Sequence, residues 1–86
     1  MDVLKVVESY CYSPEAYYVN DKLEGEVHCN DMHEIKPLLI NLMRRYNVTE
    51  TQFFNLTDEG EEFIVHNGYE YPDSFEEIAV RITGKG

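Results

Sequence analysis

Hydrophobic residues recur at helical spacing near the N-terminus. The repeat predicts a first helix over residues 3–11, and Ser13-Pro14 would end it, because the residue before a proline disfavours the helical region. The residues that share this face are Val3, Leu4, Val6, Val7, Tyr10 and Cys11. Residues 13–30 follow as a predicted long connection, anchored by Tyr17, Tyr18, Val19 and Leu23.

A second apolar stripe predicts the strongest helix of the chain. It comprises Ile35, Leu38, Leu39, Leu42 and Tyr46, which return to one side of a helix. Arg44 and Arg45 would suit the negative end of the helix dipole. We expect this helix to begin near Glu34, because Pro37 is tolerated only in a first turn.

The pattern after Asn55 supports two structures. Thr57 followed by acidic residues predicts a capped short helix that stops at Asn67-Gly68. The same Asn-Gly pair between β-branched and aromatic residues is typical of a β-hairpin over residues 62–71. Further on, Ser74 and Glu77 match a capping box before a helical repeat, although Ile78, Val80 and Ile82 also alternate like a strand.

These elements predict a mainly α protein, a small helical bundle in one domain over residues 1–86. The alternative is an α+β fold with a hairpin at residues 62–71. The expected core comprises Val3, Val6, Val7, Ile35, Leu38, Leu39, Leu42, Phe63, Ile64, Phe75, Ile78 and Ile82.

Residues 3–54 resemble acyl carrier proteins. The resemblance lies in the apolar first helix, Leu23 in the long loop, and a second helix running from Leu38 through Tyr46 to Asn47-Val48. Small acyl-carrier-like proteins of enteric bacteria show the same ending. A carrier needs Asp-Ser-Leu at the start of the second helix, where the serine takes phosphopantetheine. This chain has Cys29-Asn30-Asp31-Met32 there, so the resemblance implies the bundle without the cofactor. Asp73-Ser74-Phe75 copies the motif too close to the C-terminus, and we interpret Ser74 as a helix cap.

The net charge of the chain restricts the class of partner that it can bind. The 86 residues carry 17 acidic and 7 basic side chains, a formal net charge of −10. Residues 1–46 contribute −3 and residues 47–86 contribute −7. Such acidity disfavours direct binding to nucleic acid or to an anionic membrane and favours a protein with a basic surface.

Two groups of residues are candidates for binding that partner. Tyr17 and Tyr18 could anchor an interface, because tyrosine joins a large apolar face to a polar tip. The acidic candidates are Asp58, Glu59, Glu61, Glu62, Glu70, Asp73, Glu76 and Glu77. The alternatives are that the tyrosines complete a small core and that the acids form a solvated face.

Catalytic and metal-binding patterns are weak. His28 and His33 have the spacing of half a zinc site, with Cys29 and Cys11 nearby in sequence, but the second half is missing. We find no phosphate-binding loop and no paired carboxylates suited to catalysis. We therefore expect no enzyme activity, no cofactor and no metal. The N-terminal sequence lacks a secretory pattern, so we expect a cytoplasmic protein.

The sequence thus predicts a non-catalytic, acidic protein-interaction module that resembles an acyl carrier protein. The alternative is an acidic inhibitor of a basic protein, such as an immunity protein or a nucleic-acid mimic.

Overall fold

Five strands form one mixed β-sheet in the computed structural model, which describes residues 1–9 and 13–84. The strands are β1 (Asp2–Glu8), β2 (Glu15–Val19), β3 (Lys22–Val27), β4 (Val48–Leu56) and β5 (Ile82–Gly84). The helices are α1 (Ile35–Arg45), α2 (Asp58–His66) and α3 (Phe75–Ile78), with 3₁₀ turns at Cys29–Glu34 and Ala79–Arg81. The strand order is β3-β2-β1-β4-β5; β1 and β4 are parallel and the other pairs are antiparallel.

The prediction of a mainly α bundle is wrong, and the first error is at the N-terminus. Residues 2–8 form the central strand of the sheet instead of the start of a helix. Leu4 and Val6 pack on one face of the sheet and Val7 packs on the other. A strand covered on both faces lacks the apolar–polar alternation of a half-exposed strand, and its run of apolar residues can imitate a helical repeat.

The second error is at residues 13–30, where the predicted connection is largely a β-hairpin. Strands β2 and β3 meet at Asn20 and Asp21, whose φ angles are +52° and +69°. Two consecutive positive φ angles define a type I′ turn, which matches the twist of paired strands. Asn-Asp lacks the glycine that makes this turn easy to recognise in sequence.

Helices cover both faces of the sheet. Helix α1 closes one hydrophobic cluster, made of Leu4, Val6, Tyr17, Val19, Val27 and Leu42. Helices α2 and α3 lie over the other, made of Val7, Ala16, Tyr18, Leu56, Ile64, Tyr71, Phe75 and Ile78. The fold is therefore α+β with a helical layer on each side, and no acyl-carrier-like bundle is present among the described residues.

The predicted start of α1 and the predicted helix caps agree with the structure. Helix α1 begins at Ile35 with Pro37 in its first turn, as expected. Thr57 caps α2 by accepting a hydrogen bond from the Gly60 N–H at 3.0 Å. Gly68, at φ +72°, lies just past the end of α2, so the alternative of a hairpin at residues 62–71 is also wrong. Ser74 caps α3, as interpreted from the sequence.

The 3₁₀ turn at Ala79–Arg81 holds the start of α2 in position. The Arg81 carbonyl accepts hydrogen bonds from both the N–H and the hydroxyl of Thr57, each at 3.0 Å. The Arg81 guanidinium lies 4.0 Å from the centre of the Phe63 ring. Gly60 faces this backbone directly, and a Cβ there would overlap the Arg81 carbonyl oxygen. The start of α2 is thus built against residues that lie more than twenty positions later.

Candidate functional site

An apolar groove runs between α1 and the sheet. Its volume is about 270 Å³. Its floor is the sheet face formed by β1, β2 and β4, and one side of α1 forms its wall. The lining residues are Leu4, Val6, Glu8, Glu15, Tyr17, Ile35, Leu39, Met43, Thr51 and Phe53. Seven of these ten side chains are large and apolar or aromatic, so the groove suits an apolar ligand.

The two ends of the groove are formed by different residues. The Asp2 N–H donates to the Asn47 carbonyl at 2.9 Å, and the Asn47 N–H donates to an Asp2 carboxylate oxygen at 2.7 Å. These bonds hold the C-terminal end of α1 beside the start of β1. Glu8 lies at the far end of β1, and the register that pairs Val7 with Ala16 brings Glu15 beside it. Both carboxylates therefore mark the end of the groove away from Asn47.

Negative charge accumulates at that end. The Tyr17 hydroxyl donates a hydrogen bond of 2.8 Å to Glu15. Burial raises the pKa of Tyr17, and the bond to Glu15 together with the charges of Glu15 and Glu8 raises it further. Within residues 1–9 and 13–84, no salt bridge involves Glu8 or Glu15. This end of the groove thus favours a cation.

The rim of the groove exposes large apolar side chains. Met43 and Phe53 line it and are 49% and 46% exposed. Ile40, also 49% exposed, lies on the adjoining turn of α1. Isolated exposed hydrophobic residues are ordinary, whereas exposed apolar side chains that line an apolar groove commonly mark an interaction site.

Among residues 1–9 and 13–84, the edge of β4 beside the groove has no strand partner over most of its length. Strand β5 pairs only with residues Phe54–Leu56. In the part of the chain that the structure describes, residues 48–53 therefore have a strand neighbour, β1, on one side only. Thr49, Glu50 and Thr51 are exposed. Such an edge presents unpaired backbone groups that another chain can bind.

The two tyrosines predicted as interface anchors are buried. Tyr17 is 2% exposed and forms part of the groove floor, so a ligand would contact it only from within the groove. Tyr18 is fully buried on the opposite face of the sheet, where its hydroxyl donates to the Pro72 carbonyl at 2.7 Å. Their placement fits the alternative, that tyrosines complete a small core.

The acidic candidates lie mostly in the α2–α3 layer. All are exposed except Glu61, which is 9% exposed and has its two carboxylate oxygens 2.8 and 2.6 Å from the Ser9 hydroxyl. Arg81 joins the two helices, because it lies over Phe63 of α2 and donates to the Glu77 carbonyl of α3 at 3.0 Å. The exposed candidates are Asp58, Glu59 and Glu62 on α2, Glu76 and Glu77 on α3, and Glu70 and Asp73 between them.

The candidate metal ligands are separated or fall outside the description. Cys11 and the side chain of Cys29 lie outside the described residues. Asp31, His33 and Glu34 bring their donor atoms within 4.8 Å of one another, but His28 is not part of this group. His33 and Glu34 are exposed, with the His33 Nε2 atom 3.9 Å from Glu34. Exposed groups of this kind commonly occur without an ion, so we assign no metal to them.

Comparison with protein-family models, with curated proteins and with solved structures gave no match. A search of the described helices for one long and apolar enough to cross a bilayer also found none.

The sequence reasoning missed the groove residues that are most exposed. Met43 falls beside the apolar stripe of α1, as does the exposed Ile40 outside the groove, and that displacement is a signal that α1 is apolar beyond its core face. Thr51 and Phe53 alternate along β4 on the face of Leu4 and Val6. The sequence pattern predicted no element at residues 48–56.

Proposed function

We propose that this protein is a non-catalytic protein-interaction module that binds an apolar anchor of its partner in the groove between α1 and the sheet. The observation that carries the proposal is the apolar groove with Met43 and Phe53 exposed on its rim. Removing such apolar surface from water is the main favourable term in protein association.

The size of the groove favours a side chain over a cofactor. Its volume of about 270 Å³ is at the lower limit of small-molecule pockets, which hold roughly 300–1,000 Å³. One or two large apolar side chains suit such a space. Fully burying one of them contributes roughly 1.5–3 kcal/mol, which is the scale of an anchor residue in a protein interface.

Charge supports a basic partner. The formal net charge is −10, and Glu8 and Glu15 lie at one end of the groove. A negative field of this kind speeds the approach of a positively charged partner and disfavours acidic ones.

Site-specific photo-cross-linking tests the proposal. The cross-linker benzoylphenylalanine replaces Phe53 in one variant and Tyr69 in the control, because these aromatic residues are similarly exposed at 46% and 43%. After irradiation in the native cells, we expect a protein adduct from position 53 that Met43→Gln weakens, and none from position 69. No adduct from position 53, or equal adducts from both positions, would refute the groove as the binding site.

A second candidate function is inhibition of a basic protein by the acidic α2–α3 layer. The supporting observation is that seven of the eight acidic candidates are exposed there. In this case Glu59→Gln with Glu62→Gln would weaken binding and reduce its salt dependence, whereas Met43→Gln would leave both unchanged. The two candidates thus predict opposite results for the same pair of variants.

A further inference from the structure

We propose that the partner enters as an extended segment that adds a sixth strand to the sheet along the open edge of β4. One of its apolar side chains would fill the groove, and a Lys or Arg would reach the acidic end. This inference rests on the proposed function, because it specifies what occupies the same groove.

The backbone of β4 supplies the first argument. Residues 48–53 have a described strand neighbour on one side only, and three consecutive residues there, Thr49, Glu50 and Thr51, are exposed. An extended peptide can satisfy the main-chain groups of such an edge, and this gives affinity for many sequences. Helical segments would leave those groups unpaired.

The position of the groove supplies the second argument. The register pairs Leu4 with Thr51 and Val6 with Phe53, so both β4 residues lie on the face that α1 partly covers. Alternate side chains of an added strand point to that same face, about 4.8 Å further out than Thr51 and Phe53. The exposed faces of Phe53 and Met43 would then contact one apolar side chain of the new strand, and this contact gives sequence preference.

Charge complementarity favours basic residues at the ends of that segment. Glu8 lies on β1 and pairs with Asn55, two residues beyond the open part of β4, so two strand spacings and two residues along the strand place it roughly 12 Å from the end of an added strand. A long basic side chain meeting a glutamate can span this distance. Because Glu8 and Glu15 form no salt bridge among the described residues, a Lys or Arg would neutralise charge that the fold leaves uncompensated.

The same charge disfavours a second copy of the chain as the occupant. Each copy carries a formal charge of −10, and Glu50 is exposed on the edge itself. Like charges brought together at a strand edge are destabilising, and a charged residue on an edge is a common protection against self-pairing.

A panel of synthetic peptides tests the inference. The reference peptide alternates threonine with valine, carries phenylalanine at its centre and arginine at both ends, and has blocked termini. Two matched peptides are N-methylated on one or the other alternating set of amides. A third has glutamate in place of arginine, and a fourth has similar side chains in a helix-forming sequence. Binding is measured by calorimetry, and hydrogen exchange reports on the amides of residues 49–53.

We expect the reference peptide to bind and to protect amides of β4. One N-methylated peptide should lose binding while the other keeps it, because only one set of amides faces the edge. The glutamate peptide should bind at least tenfold more weakly, and Glu8→Gln should reduce that preference. Phe53→Ser should weaken binding about tenfold, a difference of 1.4 kcal/mol, whereas Tyr69→Ser should not.

Three results would overturn strand addition, and they differ in what they say about the proposed function. Binding of the helical peptide without effect of N-methylation would leave the groove as an interaction site. Absence of all peptide binding, together with a cross-linked adduct from position 53, would also leave the groove as an interaction site. Sedimentation of the free protein as a dimer with protected β4 amides would assign the edge to a second copy.

Discussion

Replacing Gly60 by alanine reverses the effect usually expected in a helix. Glycine in a helix interior costs about 1 kcal/mol relative to alanine, so Gly60→Ala should stabilise α2 on propensity alone. In this fold the new Cβ would overlap the Arg81 carbonyl oxygen and would lie 3.0 Å from Leu56 Cδ2 and 3.2 Å from Arg81 Cβ. Backbone atoms cannot rotate aside, so α2 and the Arg81 turn must separate.

The magnitude follows from what that separation breaks. Moving the two segments apart by on the order of 1 Å restores ordinary contact distances. It disrupts the two hydrogen bonds from Thr57 to Arg81, each worth about 1 kcal/mol. Overpacking of neighbouring atoms costs roughly 1–3 kcal/mol. After subtracting the propensity gain of about 1 kcal/mol, we expect Gly60→Ala to lower the free energy of unfolding by about 2–4 kcal/mol.

Urea unfolding followed by circular dichroism measures this change. A loss of 1 kcal/mol lowers Tm by roughly 4–8 °C in a domain of this size. Gly25→Ala is the matched control, because the Cβ there meets only the side chain of Leu38, whose terminal methyls at 3.0 and 3.1 Å can move. If Gly60→Ala proves as stable as the wild type or more stable, the contact between α2 and Arg81 is not as described.

Three further predictions concern the core, the helix caps and alkaline pH. Leu42 is only 1% exposed on the buried side of α1, so Leu42→Ala should lower the free energy of unfolding by about 2–5 kcal/mol in urea titrations. A loss below 1 kcal/mol would contradict the packing of α1. Thr57→Ala should cost about 1–2 kcal/mol in the same assay. Ser74→Ala should cost less, because the hydrogen bond of the Ser74 cap is longer at 3.3 Å and α3 is a single turn. The reverse order would contradict the described cap geometry. Burial raises the pKa of Tyr17, Tyr18 and Tyr71, so absorbance titration of the folded protein should show these three still protonated above pH 10. Because the folded state favours the neutral phenols, their contribution to stability is complete below about pH 10 and is lost as the pH rises further. All seven tyrosines titrating together near pH 10 in the folded protein would refute this.

Local chemistry made parts of the fold predictable from the sequence. The start of α1 follows from Pro37, which can occupy only a first turn, and the start of α2 follows from the Thr57 hydroxyl. Both signals act within four residues of the position they determine. The central strand was not predictable in this way, because Val3, Leu4, Val6 and Val7 show no alternation when both faces of a strand are covered.

The candidate site was less predictable than the fold. The negative charge near the groove involves Glu8 and Glu15, which are seven residues apart in sequence and become neighbours only through the β1–β2 register. The exposure of Phe53 depends on how far α1 extends over the sheet, which no local pattern encodes. Tyr17 was identified for its residue type, yet its hydroxyl is directed to Glu15 at the groove and is unavailable as a surface anchor.

The parallel pairing of β1 with β4 also affects the order in which we expect the strands to join during folding. Asp2 pairs with Val48, whereas the β1–β2 and β2–β3 pairs close over much shorter loops. Contacts between distant residues carry a larger loop-closure entropy, so they form late and slow the overall rate. Strand β4, which carries Phe53 and Phe54, would therefore be the last long strand to join the sheet. Until it does, β1 has a bare edge, and intermediates are most vulnerable to aggregation at that point.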